Sequence, residues 1–179
     1  MNKIKINKID KKVYKQPGFP TGPFDSCLHC HCGVNGLGGT CCWEGADIDK
    51  EAYDLIIENK DELEKRIGQK ISECFEKEWL KDTDFLGGKG IATKTKNNTC
   101  IFRVSPKRGC EIIKLVVEKK LPRRMIPSTC RIYPLTWDEG RLFVREIEPG
   151  CICLNLDNKI KKSIFESQKS EIDDIFSFN

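Results

Sequence analysis

A chain of 179 residues, 39% of them hydrophobic, is long enough to bury a core of its own, so its cysteines are not needed as substitutes for packing. Lysine and arginine number 31 against 27 acidic residues, and the net charge of +4 is spread along the chain, which argues against nucleic acid as the partner. No stretch matches an export signal or the length of a membrane span, so the cytoplasm is the expected compartment, where eleven cysteines read as metal ligands or reactive thiols before disulfides.

The chain opens on lysines alternating with single apolar residues and then reaches CLHCHCGVNGLGGTCCWEG, Cys27 to Gly45. Five cysteines and both histidines fall here within sixteen residues. Cys27 and Cys30 form a Cys-x-x-Cys pair, a spacing that turns tightly enough for both sulfurs to reach one metal. Cys30 and Cys32 face the same way if extended, whereas the adjacent Cys41 and Cys42 point to opposite sides and suit two sites, or one site and the core. Gly33, Gly36, Gly38 and Gly39 allow the backbone to wrap a metal closely. His29 and His31 are candidates to ligate or to hydrogen-bond sulfur from outside the ligand shell. A thioredoxin-like redox dithiol is a poorer fit, because that chemistry needs two sulfurs only.

From Asp47 to Leu80 the spacing of Ala52, Ile56, Leu63, Ile67, Ile71 and Phe75 predicts helix, with Asp47 or Asp49 as N-cap and Gly68 as a break or bend. Cys74, three residues after Ile71, falls on the apolar face and reads as a buried small hydrophobe. The glycine-rich, polar stretch from Asp84 to Thr99 predicts a loop. CIFRV (Cys100 to Val104) and RLFVREIE (Arg141 to Glu148) have the composition of short strands. EIIKLVVEKK (Glu111 to Lys120) predicts a helix that stops before Pro122, and the tail from Asn158 to Phe176 a final amphipathic helix. The result is a mainly α chain with short β segments, an α+β domain, small, irregular and stabilised by metal. It is expected to form one domain over 1–179, with a core at about 24–155 and the last helix at about 158–176. Arg103, Lys107, Arg108, Arg123, Arg124 and Arg131 lie near cysteines in sequence. They read as charge compensation, since four thiolates around zinc or an oxidised four-iron cluster carry about −2.

The opening cysteines, CIF at Cys100, CEII at Cys110 and above all PSTCRIYP from Pro127 to Pro134 resemble the YkgJ-type cysteine-cluster family, also called the CxxCxxCC or zinc- or iron-chelating domain. Its members show an early cluster ending in a Cys-Cys pair, a Cys-x-Phe strand, a Cys-x-Ile segment and a Pro-x-x-Cys-Arg-x-aromatic-Pro signature. Here ten residues separate Cys30 from Cys41, a longer interval than the family's. The resemblance implies Cys27, Cys30, Cys41, Cys42, Cys100, Cys110, Cys130 and Cys151 as metal ligands, enough for two four-cysteine centres, with Cys32 and Cys153 as extra thiols beside them. It also places Arg131 and Tyr133 beside the cofactor.

An iron–sulfur cluster (4Fe–4S, one or two) is favoured over zinc, because a remote cysteine bracketed by prolines, as Cys130 is, is common among iron–sulfur ligands. Redox or modification chemistry on a peptide or small metabolite then follows, with a substrate or a redox protein as partner. The alternative is a non-catalytic zinc module. Motifs for radical S-adenosylmethionine chemistry, P-loop phosphate binding, dinucleotide binding and zinc proteolysis are missing from the sequence, and no catalytic residue is assigned.

Overall fold

The computed structural model describes residues 3–18, 42, 44–104, 109–146 and 162–179. The fold is α+β, with seven helices and eight short strands among these residues. The termini are joined: β1 (Ile4–Ile6) lies parallel to β8 (Phe176–Phe178), with Ile4 opposite Phe176. Next to it, β2 (Lys8–Ile9) runs parallel to β7 (Arg141–Val144), which pairs antiparallel with β6 (Leu135–Asp138). Helix α1 (Lys11–Lys15) follows β2. Ile4, Ile6, Val13, Leu135 and Leu142 form one hydrophobic cluster with Ile164, Ile172, Ile175 and Phe176 from the C-terminal segment.

The second cluster is built on an antiparallel sheet ordered β3 (Asp47–Asp49), β5 (Lys89–Ala92), β4 (Leu80–Lys81). The helix expected from Asp47 to Leu80 forms only between Lys50 and Ile67, and there it is divided; beyond it Phe75 bridges to Thr93 and Leu80 begins β4. Asp47–Asp49 is strand. The Asp49 carboxylate then caps α2 (Lys50–Glu58) by accepting from Ala52 N at 3.1 Å, and α3 (Lys60–Ile67) ends at a left-handed Gly68. Ile71 belongs to a separate 3-10 turn, Ile71–Glu73. Ala52, Ile56, Leu63 and Ile71 are buried, as their spacing requires. Helix α4 (Glu111–Lys119) forms where predicted, burying Ile112, Ile113, Leu115 and Val116 and stopping ahead of Pro122.

Two local expectations are corrected. The predicted 84–99 loop contains β5, where Gly90 pairs with both Asp49 and Leu80; it has to be glycine because a Cβ there would meet Phe85 ring carbons at 2.7 Å. CIFRV is not a strand. Cys100 makes one isolated bridge to Thr95 and the chain then turns, with Arg103 N donating to Cys100 O at 2.8 Å. Cys100 and Phe102 instead serve packing, Phe102 against the Phe75 ring at 5.8 Å between centroids, while Val104 is exposed. The predicted tail helix is two short ones, α6 (Ile164–Ser167), opened by a Ser163–Glu166 capping box, and α7 (Lys169–Ile175). Among the described residues no helix is long and apolar enough to cross a membrane.

Candidate metal centre

Four of the predicted ligands, Cys42, Cys100, Cys110 and Cys130, come from four separate segments and line one cavity of about 330 Å³. Cys42 and Cys100 are fastened through the backbone, Cys100 N donating to Cys42 O at 2.7 Å. Cys110 is the N-cap of α4, placed by a bond from Glu111 N to Phe102 O at 2.9 Å. Cys130 sits in α5 (Ser128–Ile132), whose first turn closes when the N–H groups of Cys130 and Arg131 both donate to Pro127 O at 2.9 Å. The buried Asp49 fixes this helix to the β3 sheet: the carboxylate oxygen not used on Ala52 accepts from Ser128 N at 3.1 Å and Ser128 Oγ at 2.9 Å.

The cavity lies between the two hydrophobic clusters. Ile48, Phe102, Ile112, Ile113 and Ile126 wall it from one side and Leu135 from the other. Apolar walls disfavour charged sulfur. Burial pushes the Cys100 thiol up to about 11, opposed by the Thr93 hydroxyl and reinforced by Cys42. Burial also raises Cys110, and the nearby Cys100 and Cys42 add to it, against the pull of the Ile113 and Ile112 amides at the start of α4. Metal-free, both are neutral thiols at neutral pH, and a cation that binds them must displace their protons. The mutual electrostatic effect of Cys42, Cys100 and Cys110 reports their proximity.

The donor set fits a thiophilic metal, being all sulfur at the predicted positions. As the side chains are placed, no group of three or more His, Cys, Asp or Glu among the described residues converges on a single ion position. Cys27, Cys30, Cys32, Cys41, Cys151, Cys153, His29 and His31 lie outside the described residues. Cys74 is fully buried away from the cavity lining, donating to Lys70 O at 3.3 Å and accepting from Gln69 Nε2 at 3.1 Å, as its reading as core requires.

Tyr133 lines the cavity, but Arg131 does not. Arg131 is 2% exposed and its guanidinium is committed to the C-terminal helix, through Nε to Glu171 at 2.6 Å and Nη2 to Asp174 at 2.5 Å. Arg123 also pairs with Glu171, and Arg124 with Glu51 and Asp174. Of the four described members of the basic group, Arg103 alone, 6% exposed, lines the cavity; Lys107 and Arg108 lie outside the described residues. Arg145, outside that group, lines the cavity as well.

Several site residues carry no sequence signal of their own. Thr93 is a single threonine in a polar run, and Gly45 is one of fourteen glycines. Gly45 has φ +82°, and a Cβ on it would meet Thr93 Oγ1 at 2.7 Å and Thr93 O at 2.9 Å. Glu171 and Asp174 had a signal, a carboxylate pair spaced i, i+3 in a predicted amphipathic helix. Comparisons with family models, with curated proteins and with solved structures find no match for this chain.

Proposed function

We propose that this chain is a cysteine-ligated metalloprotein whose centre is an iron–sulfur cluster at the cavity walled by Cys42, Cys100, Cys110 and Cys130. The observation that carries the reading is the meeting of these four cysteines, distant in sequence, on one cavity. Free thiols scattered by packing needs have no reason to share a wall, and Cys74, the described cysteine outside the set, does not. Cys27, Cys30, Cys41 and Cys151 are proposed as further ligands, as the resemblance to the YkgJ-type family implies, the eight sulfurs together being enough for two four-cysteine centres. When bound, a cluster supplies one-electron transfer or an open iron acting as Lewis acid. The chain's own residues would exclude water with the Ile48, Phe102 and Ile113 wall and offset thiolate charge with Arg103. Tyr133 and Thr129, whose hydroxyl donates to Asp47 O at 3.1 Å, add polar groups to the same lining beside a small metabolite or peptide group. A reducing compartment, the cytoplasm, suits such a site.

A zinc module is the second reading, favoured by the count of four cysteines at one cavity, which equals the complement of a closed tetrahedral site. Metal analysis of protein prepared without oxygen separates the two. Iron with comparable sulfide, brown colour and broad absorption near about 400 nm is the expected result. Colourless protein with stoichiometric zinc would establish the module, and protein with neither would remove the metal-centre reading altogether.

A further inference from the structure

We propose that Thr93 donates its hydroxyl hydrogen to the sulfur of Cys100 and acts as a positioning residue for that ligand, a role that rests on the metal-centre reading above. Thr93 is 5% exposed and lines the same cavity. Its Oγ1 accepts from Ala46 N at 2.8 Å and stands 3.5 Å from Cys100 Sγ. A hydroxyl carries one proton and two lone pairs. With a lone pair engaged by Ala46, the proton is left to donate, and among the described residues the Cys100 sulfur is an acceptor in reach. A metal-bound thiolate has no proton to offer, so metal loading fixes the direction of the bond.

The hydroxyl is held in place from several sides. Thr93 N donates to Ala46 O at 2.9 Å, Thr93 bridges antiparallel to Phe75, and the missing side chain of Gly45 leaves the space that Oγ1 occupies. A β-branched side chain pinned at its oxygen has one rotamer to adopt, so the donor is aimed before any metal arrives. A donor on a bound thiolate draws electron density from sulfur and steadies its orientation, and loss of such a partner elsewhere costs about 10- to 100-fold in metal affinity.

The test compares wild type, Thr93→Val, which removes the hydroxyl at nearly constant shape, and Thr93→Ser, which keeps it. Each metal-free protein is reconstituted anaerobically with ferrous iron and sulfide, and separately with cobalt(II). The expected result is full loading in all three. Thr93→Val should release metal to a chelator about tenfold faster and show thiolate-to-metal absorption at longer wavelength, because an undonated sulfur holds its lone pairs less tightly. Thr93→Ser should match wild type.

Thr93→Val also strips Ala46 N of its partner, so thermal stability is measured alongside. Lower stability with unchanged bands and release would assign Thr93 a scaffolding role and overturn the proposal. If the valine protein does not fold, Thr93→Ala is read by the same criteria. Wild type that takes up neither metal would overturn the metal-centre reading, whereas loaded wild type and an indistinguishable valine variant overturn the Thr93 role alone.

Discussion

The main-chain N–H of Cys100 donates to the carbonyl of Cys42 at 2.7 Å, locking together two cysteines that flank the whole β3–β5 sheet and its helices in sequence. Because the bond is made by backbone atoms, it survives substitution of either side chain. The link between the two segments therefore does not depend on either sulfur.

Serine at Cys42, Cys100, Cys110 or Cys130 replaces a soft thiolate by a hydroxyl that binds iron or zinc far less well. Each of the four single variants should lose metal to a similar extent, as measured by metal content per chain after anaerobic purification. Full occupancy in Cys130→Ser would show that the cavity cysteines do not act as one set.

Cys74→Ala should leave metal content unchanged. It opens a small cavity in the core and removes the sulfur that bonds Lys70 O and Gln69 Nε2, so a loss of about 1–2 kcal/mol is expected in denaturant unfolding.

Arg131 and Glu171 are both 2% exposed, and an uncompensated buried guanidinium is costly. Glu171→Ala should destabilise by about 3 kcal/mol, the low end for a broken buried pair because Asp174 still contacts Arg131. The Arg131→Met, Glu171→Leu double variant should recover much of that loss in thermal unfolding, with metal content unchanged in both proteins. Metal loss in the double variant would restore Arg131 to the site.

Burial acts to raise Asp174, but hydrogen bonds from Arg124 and Arg131 outweigh it and hold the carboxyl below the usual carboxylate range. A depressed folded-state value stabilises the fold above the unfolded value, and that contribution is lost as pH falls through the folded one. Wild type should therefore lose stability below about pH 4, and Asp174→Asn, less stable at pH 7, should show a shallower acid limb in urea midpoints measured against pH.

Gly45→Ala combines a positive φ with a Cβ 2.7 Å from Thr93 Oγ1. A loss of about 1–3 kcal/mol is expected from backbone strain, together with faster metal release, since the Thr93 hydroxyl must move.

Helix α4, the burial of Cys74 and the capping role of Asp49 were legible because each depends on neighbours within a turn or two: a 3.6-residue apolar period, an acceptor ahead of a helix, a proline behind one. The mixed α+β class followed from the same local signals. The partnership of β1 with β8 and of β2 with β7 was not legible, since parallel pairing between strands distant in sequence leaves no short-range trace in either strand. The family resemblance implies Cys42, Cys100, Cys110 and Cys130 among eight ligands without grouping them. That they share one cavity, that Arg131 turns to Glu171 and Asp174, and that Thr93 meets the Cys100 sulfur were decided by tertiary structure. Long side chains such as arginine take their direction from the nearest carboxylates in space, and a short hydroxyl from the strand register that carries it; neither quantity is written in the residues adjacent along the chain.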